Sequence, residues 1–249
     1  MIWFTSAVLS LVLQGVPGTN PPELADALTA VSRNVKESQD QLPDFLCNEK
    51  VTSTRFRSGK QQSQKVVESI FSIQQSRESR EILSVDGKPA RKGAKMPGLP
   101  VNISGSFNFM INTTFSPPSL PWYEFAFGQK QDAARLVVQF ETKKDQKEMI
   151  WNINGDARAA HDTGQAWVDT SSMQVARIER NLLNLGRYAT VWKITIDQVP
   201  FTIGERQFWL PKTFLTEITE RDPKDTGTFL AEYSNCKKFS TEITIRPVR

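Results

Sequence analysis

Trp192-Lys193-Ile194-Thr195-Ile196-Asp197 is a stretch in which apolar and polar side chains alternate strictly. Alternation with a period of two places the apolar side chains on one face of a β-strand and the polar side chains on the other. A strand with one apolar face and one solvated face is typical of antiparallel sheets, because parallel sheets are covered on both faces. This stretch therefore predicts an antiparallel sheet with a single apolar side.

The same alternation extends over most of the chain. Apolar residues share one strand face in three further segments: Val67, Phe71 and Ile73; Tyr123, Phe125 and Phe127; and Leu136, Val138 and Phe140. Turn signals such as Ser58-Gly59, Asp86-Gly87 and Ile203-Gly204 separate the segments. We predict about ten or eleven strands between Leu46 and Ile245. The predicted fold class is mainly β (α+β), with one strongly curved antiparallel sheet or half-barrel.

Two segments have helical spacing instead. Between Pro21 and Gln41 the apolar residues Leu24, Leu28, Val31 and Val35 fall on one side, which predicts an N-terminal amphipathic helix. Phe107, Met110, Ile111 and Phe115 predict a short inserted helix that ends before Pro117-Pro118. This inserted helix could be a mobile lid or a fixed plug over the concave face, or a crossover helix that completes the core.

The first thirteen residues contain no charged side chain and are followed by Gly15, Pro17 and Gly18. This run is too short to span a bilayer and is typical of the apolar part of a signal peptide, although no basic residue precedes it. An N-terminal anchor helix is the alternative. We predict a signal peptide at residues 1–18 and a single domain at residues 19–249. Because no Cys lies at that boundary, we expect a periplasmic or secreted protein without lipid attachment.

The two cysteines, Cys47 and Cys236, bear on the compartment and on the topology. Disulfides persist in exported proteins, so the pair predicts a bridge between the first predicted strand and the penultimate one. Two buried thiols are the alternative. A bridge would require the ends of the sheet to lie close together, as strong curvature allows.

The composition argues against several functional classes. The chain has one histidine, His161, and lacks the common nucleophile, nucleotide-binding and zinc-protease motifs, so we predict no enzyme activity, no cofactor and no metal site. The net charge of +4 comes from basic residues interspersed with acidic ones, which disfavours nucleic-acid binding. Only Arg91, Lys92 and Lys95 form a local basic cluster. It could touch anionic headgroups in a peripheral membrane contact, or simply aid solubility.

Three further stretches carry a family resemblance: residues 42–51 (LPDFLCNEKV), residues 164–179 (GQAWVDTSSMQVARIE), and Leu210-Pro211 with residues 232–239 (EYSNCKKF). These resemble the superfamily of the lipoprotein carrier LolA and the periplasmic regulator RseB, and most closely some secreted bacterial members of that type. The resemblance implies an incomplete barrel, covered by helices, that binds acyl chains or lipoprotein segments.

These considerations predict a non-enzymatic periplasmic protein that holds a lipid or lipoprotein acyl chain in the concave apolar face. The alternative is an envelope protein-interaction or stress-sensing module whose sheet is permanently plugged. A half-barrel cannot close its own concavity, so its apolar residues need a helix, a ligand or a partner to cover them. The predicted ligand-binding residues are Phe71, Ile73, Phe107, Met110, Phe115, Phe125, Phe140, Trp192 and Ile194.

Overall fold

A computed structural model describes residues 23–103, 114–129, 134–144, 149–153, 156–183, 185 and 189–239. The predicted signal peptide and most of the predicted inserted helix, including Phe107 and Met110, lie outside these ranges. Within them, no helix is long and apolar enough to cross a membrane.

The described residues contain twelve strands, more than the sequence predicts because β4 is only two residues long. Their bounds are β1 Phe45–Arg57, β2 Lys60–Gln74, β3 Arg77–Val85, β4 Lys88–Pro89, β5 Tyr123–Phe127, β6 Arg135–Thr142, β7 Met149–Ile153, β8 Asp156–Asp169, β9 Val175–Leu183, β10 Ala189–Ile203, β11 Arg206–Glu220 and β12 Asp225–Lys238. A 3-10 helix spans Leu120–Trp122 and leads into β5.

All strand pairs among the described residues are antiparallel. The order of the strands across the sheet is β4-β3-β2-β1-β12-β11-β10-β9-β8-β6-β5, and β7 pairs with β8 outside this path. The sheet is therefore open, with β3 and β4 at one edge and β5 at the other. Its one-sided apolar pattern and its curvature confirm the predicted half-barrel class.

The first and last described strands are neighbours inside this sheet. Val51 of β1 lies opposite Ala231 of β12, and the two strands stay paired from Phe45 to Arg57. The predicted disulfide is confirmed: Cys47 and Cys236 are bonded, with their Cα atoms 4.1 Å apart. Cys236 belongs to the last described strand and not to the penultimate one. The bridge therefore joins two adjacent strands.

The N-terminal helix is also confirmed, as α1 at Leu24–Gln41. Ala27, Val31 and Val35 are buried, because their spacing places them on the side that packs on the sheet. The Asn34 side chain donates hydrogen bonds to the carbonyls of Ser172 and Met173, at 2.8 and 3.0 Å. These bonds fix α1 to the turn between β8 and β9.

The chain between β4 and β5 connects opposite edges of the open sheet. We call residues 90–122 the edge-to-edge connection; its described parts are residues 90–103 and 114–122. Apart from the step from β6 to β7, the other connections join neighbouring strands, whereas this connection crosses from one edge of the sheet to the other. Its contacts show which face of the sheet it covers.

Candidate binding face

The inner face of the sheet is defined by residues that lie opposite one another on paired strands, since such residues point to the same side. One row crosses most of the sheet through Phe125, Phe140, Gly164, Arg180, Ile194, Thr216, Phe229 and Ser53. Except for Phe125 and Gly164, which are half-buried, the residues of this row are buried. It runs from the β5 edge to β1.

All of the described residues predicted to bind ligand belong to this inner side. Phe125, Phe140 and Ile194 lie in the row above, and Trp192 lies in the next inward-facing row. Phe71 lies opposite Cys47, and Ile73 lies opposite Phe45. Phe71, Phe140, Trp192 and Ile194 are buried, whereas Ile73 and Phe125 are half-buried. The structure thus brings these residues onto one apolar surface, while their contact with a ligand stays a prediction.

The edge-to-edge connection covers this surface at both of its described ends. The Phe115 ring is completely buried, and its centre lies 5.8 Å from that of Phe125 and 6.2 Å from that of Phe140. At the other end, the Val101 amide donates to the Ser53 hydroxyl, which in turn donates to the Val101 carbonyl, each at 2.8 Å. The cover therefore occupies the inner face.

Gly227 of β12 makes this close approach feasible. A methyl group on Gly227 would lie only 2.4 Å from the Cγ2 atom of Val101. Real side-chain atoms do not approach that closely, so the absence of a side chain at Gly227 provides the space that Val101 fills. Close packing of Val101 against Gly227 therefore holds the connection in place, in addition to its hydrogen bonds with Ser53.

A buried ionic cluster lies beneath the Phe115 end of the cover. The Arg180 guanidinium is ion-paired with Asp162, and both side chains are fully buried. The Tyr123 hydroxyl donates to Asp162 at 2.9 Å, and Tyr123 is also hydrogen-bonded to Thr114 of the connection. Burial, reinforced by the nearby Asp162 carboxylate, raises the pKa of Tyr123 well above its usual value. This phenol stays protonated and serves as a donor.

A second ionic cluster lies near the disulfide. The Arg80 guanidinium donates two hydrogen bonds to Glu49, at 2.8 and 2.9 Å, and the Ser69 hydroxyl donates a third at 2.7 Å. Arg80 also lies over the Phe71 ring, with its guanidinium carbon 4.9 Å from the ring centre. Burial and the neighbouring Glu49 charge raise the pKa of Tyr233 far above its usual value. The Glu49 carboxylate is thus compensated within the core.

The sequence prediction missed both clusters, although the pattern contains a signal for them. Glu49 occupies an inward position between Cys47 and Val51, and Arg180 occupies one between Ile178 and Leu182. A charged residue at an apolar position of a strand is expensive to bury unless a partner neutralises it. Such interruptions of the period-two pattern therefore indicate internal ion pairs.

One further polar group interrupts the apolar surface. The Thr216 hydroxyl is completely buried between Ile194 and Phe229, and it has no hydrogen-bond partner among the described residues. An unsatisfied buried hydroxyl costs about 1 to 3 kcal/mol. The middle of the inner face thus offers one hydrogen-bonding group.

Other residues considered from the sequence lie elsewhere. His161 is on the outer face, where its Nε2 atom lies 2.8 Å from a Glu141 carboxylate oxygen. Its neighbour in β8, Asp162, faces inward and belongs to the buried cluster with Arg180. Asp169 accepts hydrogen bonds from Ser171 and Ser172 and thereby closes the turn between β8 and β9. In the described ranges, no three His, Cys, Asp or Glu side chains are grouped as metal ligands.

The space between α1 and the sheet is small. A cavity of about 30 Å³ lies there, lined by residues that include Val35, Leu42, Val175 and Phe208. Pockets that hold drug-sized ligands have volumes of about 300 to 1,000 Å³. This cavity could therefore hold a single water molecule and not an acyl chain.

The described geometry defines a class of protein: an open, curved antiparallel sheet whose apolar inner face is covered by its own chain and crossed by buried ion pairs. No protein-family model and no curated protein matches the sequence.

Solved structures with a similar arrangement have low sequence identity. A DUF1329 family protein from Desulfovibrio piger has a TM-score of 0.40 at 11% identity, covering 88% of this chain and 94% of its own. A LolA superfamily protein from Nitrosomonas europaea has a TM-score of 0.43 at 12% identity, covering 86% and 96%. A putative outer membrane lipoprotein-sorting protein domain from Vibrio parahaemolyticus has a TM-score of 0.39 at 11% identity, covering 89% and 95%.

Proposed function

We propose that this chain is a non-enzymatic binding protein of the bacterial envelope that holds a lipid or lipoprotein acyl chain against the inner face. The observation that carries the proposal is the nature of the cover: an apolar sheet surface is covered by a connecting segment that passes from one sheet edge to the other. A connection can leave the surface without breaking any pairing between the long strands.

The energetics permit such an exchange. In its described parts, the cover is tied to the inner face by the two bonds between Ser53 and Val101 and by the contact of Thr114 with Tyr123. Removing the cover alone would expose apolar surface to water, at about 25 cal/mol for each Å². An acyl chain that takes its place would bury that surface again, gaining about 0.8 kcal/mol for each methylene. The ligand and the cover therefore compete for one surface.

The residues that we propose as ligand contacts are the predicted ones. The described members are Phe71, Ile73, Phe115, Phe125, Phe140, Trp192 and Ile194, and Phe107 and Met110 are proposed from the sequence alone. Phe125 and Ile73 are the accessible members, because they are only half-buried. Ligand entry at these two residues would require the least rearrangement.

We propose an exported, periplasmic or secreted location, with a signal peptide at residues 1–18 and the binding domain at residues 19–249. The disulfide between Cys47 and Cys236 fits an oxidising compartment, since such bonds persist there and are rare in the cytosol.

A fluorescent fatty acid tests the proposal directly. We expect the purified chain to bind the probe, unlabelled fatty acids to displace it, and acyl compounds to be present in solvent extracts of protein purified from its native envelope. Phe125→Ala, on the inner face, should weaken probe binding several-fold. Val191→Ala, which shortens an apolar side chain of β10 that is 43% exposed, is the matched control and should leave binding unchanged. If no acyl compound copurifies and none displaces the probe, the proposal fails.

The second candidate function is a protein-interaction or stress-sensing module of the envelope with a fixed cover. It is favoured by the small size of the cavity beside α1 and by the complete burial of Phe115. Hydrogen exchange distinguishes the two functions. In a carrier, amides of residues 94–103 should exchange far faster than those of β10 and β11, because the cover opens locally. Slow exchange throughout both regions would favour the fixed module.

A further inference from the structure

The edge-to-edge connection and the β4 turn before it carry a net charge of +4, equal to that of the whole chain. Lys88, Arg91, Lys92 and Lys95 are basic, and no Asp or Glu occurs between Asp86 and Glu124. Without these four residues, the chain has 27 Lys and Arg residues against 27 Asp and Glu residues. A second basic stretch, residues 50–67, also lacks Asp and Glu, but two of its five cations, Arg55 and Arg57, are ion-paired with Glu220 and Asp225.

These four side chains are exposed and can contact a binding partner. None of them forms an ion pair with a described carboxylate. The nearest carboxylate in the sequence, Asp86, accepts a hydrogen bond of 2.8 Å from the Val66 amide and forms no ion pair with any of the four. The cluster thus presents an uncompensated positive surface.

The cluster also adjoins apolar side chains. Leu83 is 45% exposed, and its carbonyl accepts a hydrogen bond of 2.8 Å from the Ala90 amide, directly before Arg91. Met96 and Leu99, which follow the cluster, are only half-buried. Basic residues beside exposed apolar side chains suit a surface that is anionic at the headgroups and apolar just below them.

We propose that Lys88, Arg91, Lys92 and Lys95 dock this protein on an anionic phospholipid surface. Docking requires no ligand inside the sheet, so the inference goes beyond the proposed binding function and stands apart from it. The two are neighbours in the molecule, because the docking segment continues at Val101 into the cover of the inner face. A protein docked in this way would hold its cover against the membrane.

Vesicle co-sedimentation of the full chain tests the proposal. We expect binding to vesicles of phosphatidylcholine with phosphatidylglycerol, little binding to phosphatidylcholine alone, and release by NaCl. A cation near an anionic surface contributes about 1 kcal/mol, so each Lys→Gln or Arg→Gln change at the four positions should weaken binding about fivefold. The quadruple variant should lose binding, with its circular dichroism spectrum and melting temperature retained because the side chains are exposed.

The matched control carries the same charge change at four exposed lysines elsewhere: Lys50, Lys60, Lys212 and Lys237, each changed to Gln. It should retain most of the vesicle binding, and an equal loss in both quadruple variants would overturn the proposal. Two other outcomes would also overturn it: saturable binding of inorganic phosphate at the four positions at constant ionic strength, and tighter binding to duplex DNA than to vesicles. Loss of docking with fatty-acid binding intact would leave the proposed binding function standing.

Discussion

The Ser53 hydroxyl and the Val101 backbone are hydrogen-bonded to each other in both directions, at 2.8 Å each, at the β1 end of the inner-face row. Ser53 is fully buried. A single side chain of β1 therefore satisfies both polar groups of a residue in the edge-to-edge connection.

Ser53→Ala should loosen the cover without unfolding the sheet. We expect a loss of about 1 to 3 kcal/mol in the free energy of unfolding, because the Val101 amide and carbonyl lose their partner. Hydrogen exchange at Val101 and its neighbours should accelerate, and fatty-acid probe binding should become tighter. Ser84→Ala, which removes a hydrogen bond to Glu68 on the exposed side of the sheet, is the control. It should leave hydrogen exchange at Val101 and fatty-acid probe binding unchanged. Unchanged exchange at Val101 would contradict this role for Ser53.

Gly227→Ala tests the shape of the same contact. The new methyl group would clash with the Val101 side chain, and we expect a loss of about 1 to 3 kcal/mol in stability from overpacking. Val101→Ala removes the clashing atom, so the double variant should be more stable than Gly227→Ala alone. Urea denaturation of the two single variants and the double variant measures this coupling. Strict additivity of the two changes would show that the residues are not in contact.

Arg180 and Arg177 are a matched pair on the same strand. Arg180→Met leaves the Asp162 carboxylate buried without its counter-charge, and we expect a loss of about 3 to 5 kcal/mol. Arg177→Met breaks ion pairs with Glu179 and Asp197 at a side chain that is 37% exposed, and it should cost less than about 1 kcal/mol. Equal losses in denaturation experiments would contradict the internal role of Arg180.

The disulfide should contribute strongly to stability because it closes a very long loop. The separation of Cys47 and Cys236 is 189 residues, and the chain-entropy model gives about 5 kcal/mol for such a loop. We expect Cys47→Ser/Cys236→Ser to fold with a markedly lower melting temperature, since the β1–β12 pairing persists. Mass spectrometry without reductant should show a mass lower by two hydrogens. Detection of two free thiols would refute the bridge.

Asp169 should make stability depend on pH in the acid range. Hydrogen bonds from Ser171, and then from Ser172, hold the pKa of Asp169 below its ordinary value of 3.8. The ionised form is favoured in the folded state, so its contribution is complete above the unfolded value and is lost as the pH falls through the folded one. The stability difference between the wild type and Asp169→Asn should shrink below pH 3.8. In Ser171→Ala/Ser172→Ala, titration followed by NMR should give a higher pKa for Asp169.

The sequence predicted the strands well because most inward positions, such as those of Phe140 and Ile194, follow the period of two. Pairing partners were harder to predict, since the alternation shows which side a residue faces and not which strand lies beside it. The neighbouring positions of β1 and β12 entered the prediction only through the two cysteines. The internal ion pair of Arg180 with Asp162 depends on the pairing of β9 with β8. Since the sequence did not reveal which strands are paired, this ion pair was not predicted.

The pairing of β1 with β12 has a consequence for the time at which the protein can fold. The partner of Val51 is Ala231, so an internal pair of the sheet cannot form until nearly the whole chain has been synthesised. Contacts this distant in sequence carry a large loop-closure entropy and slow the folding reaction. During translation β1 to β4 can form a meander, whose exposed β1 edge has yet to receive its neighbour. A chain of this topology stays incompletely folded until release from the ribosome, which is the state that passage through a narrow export channel requires.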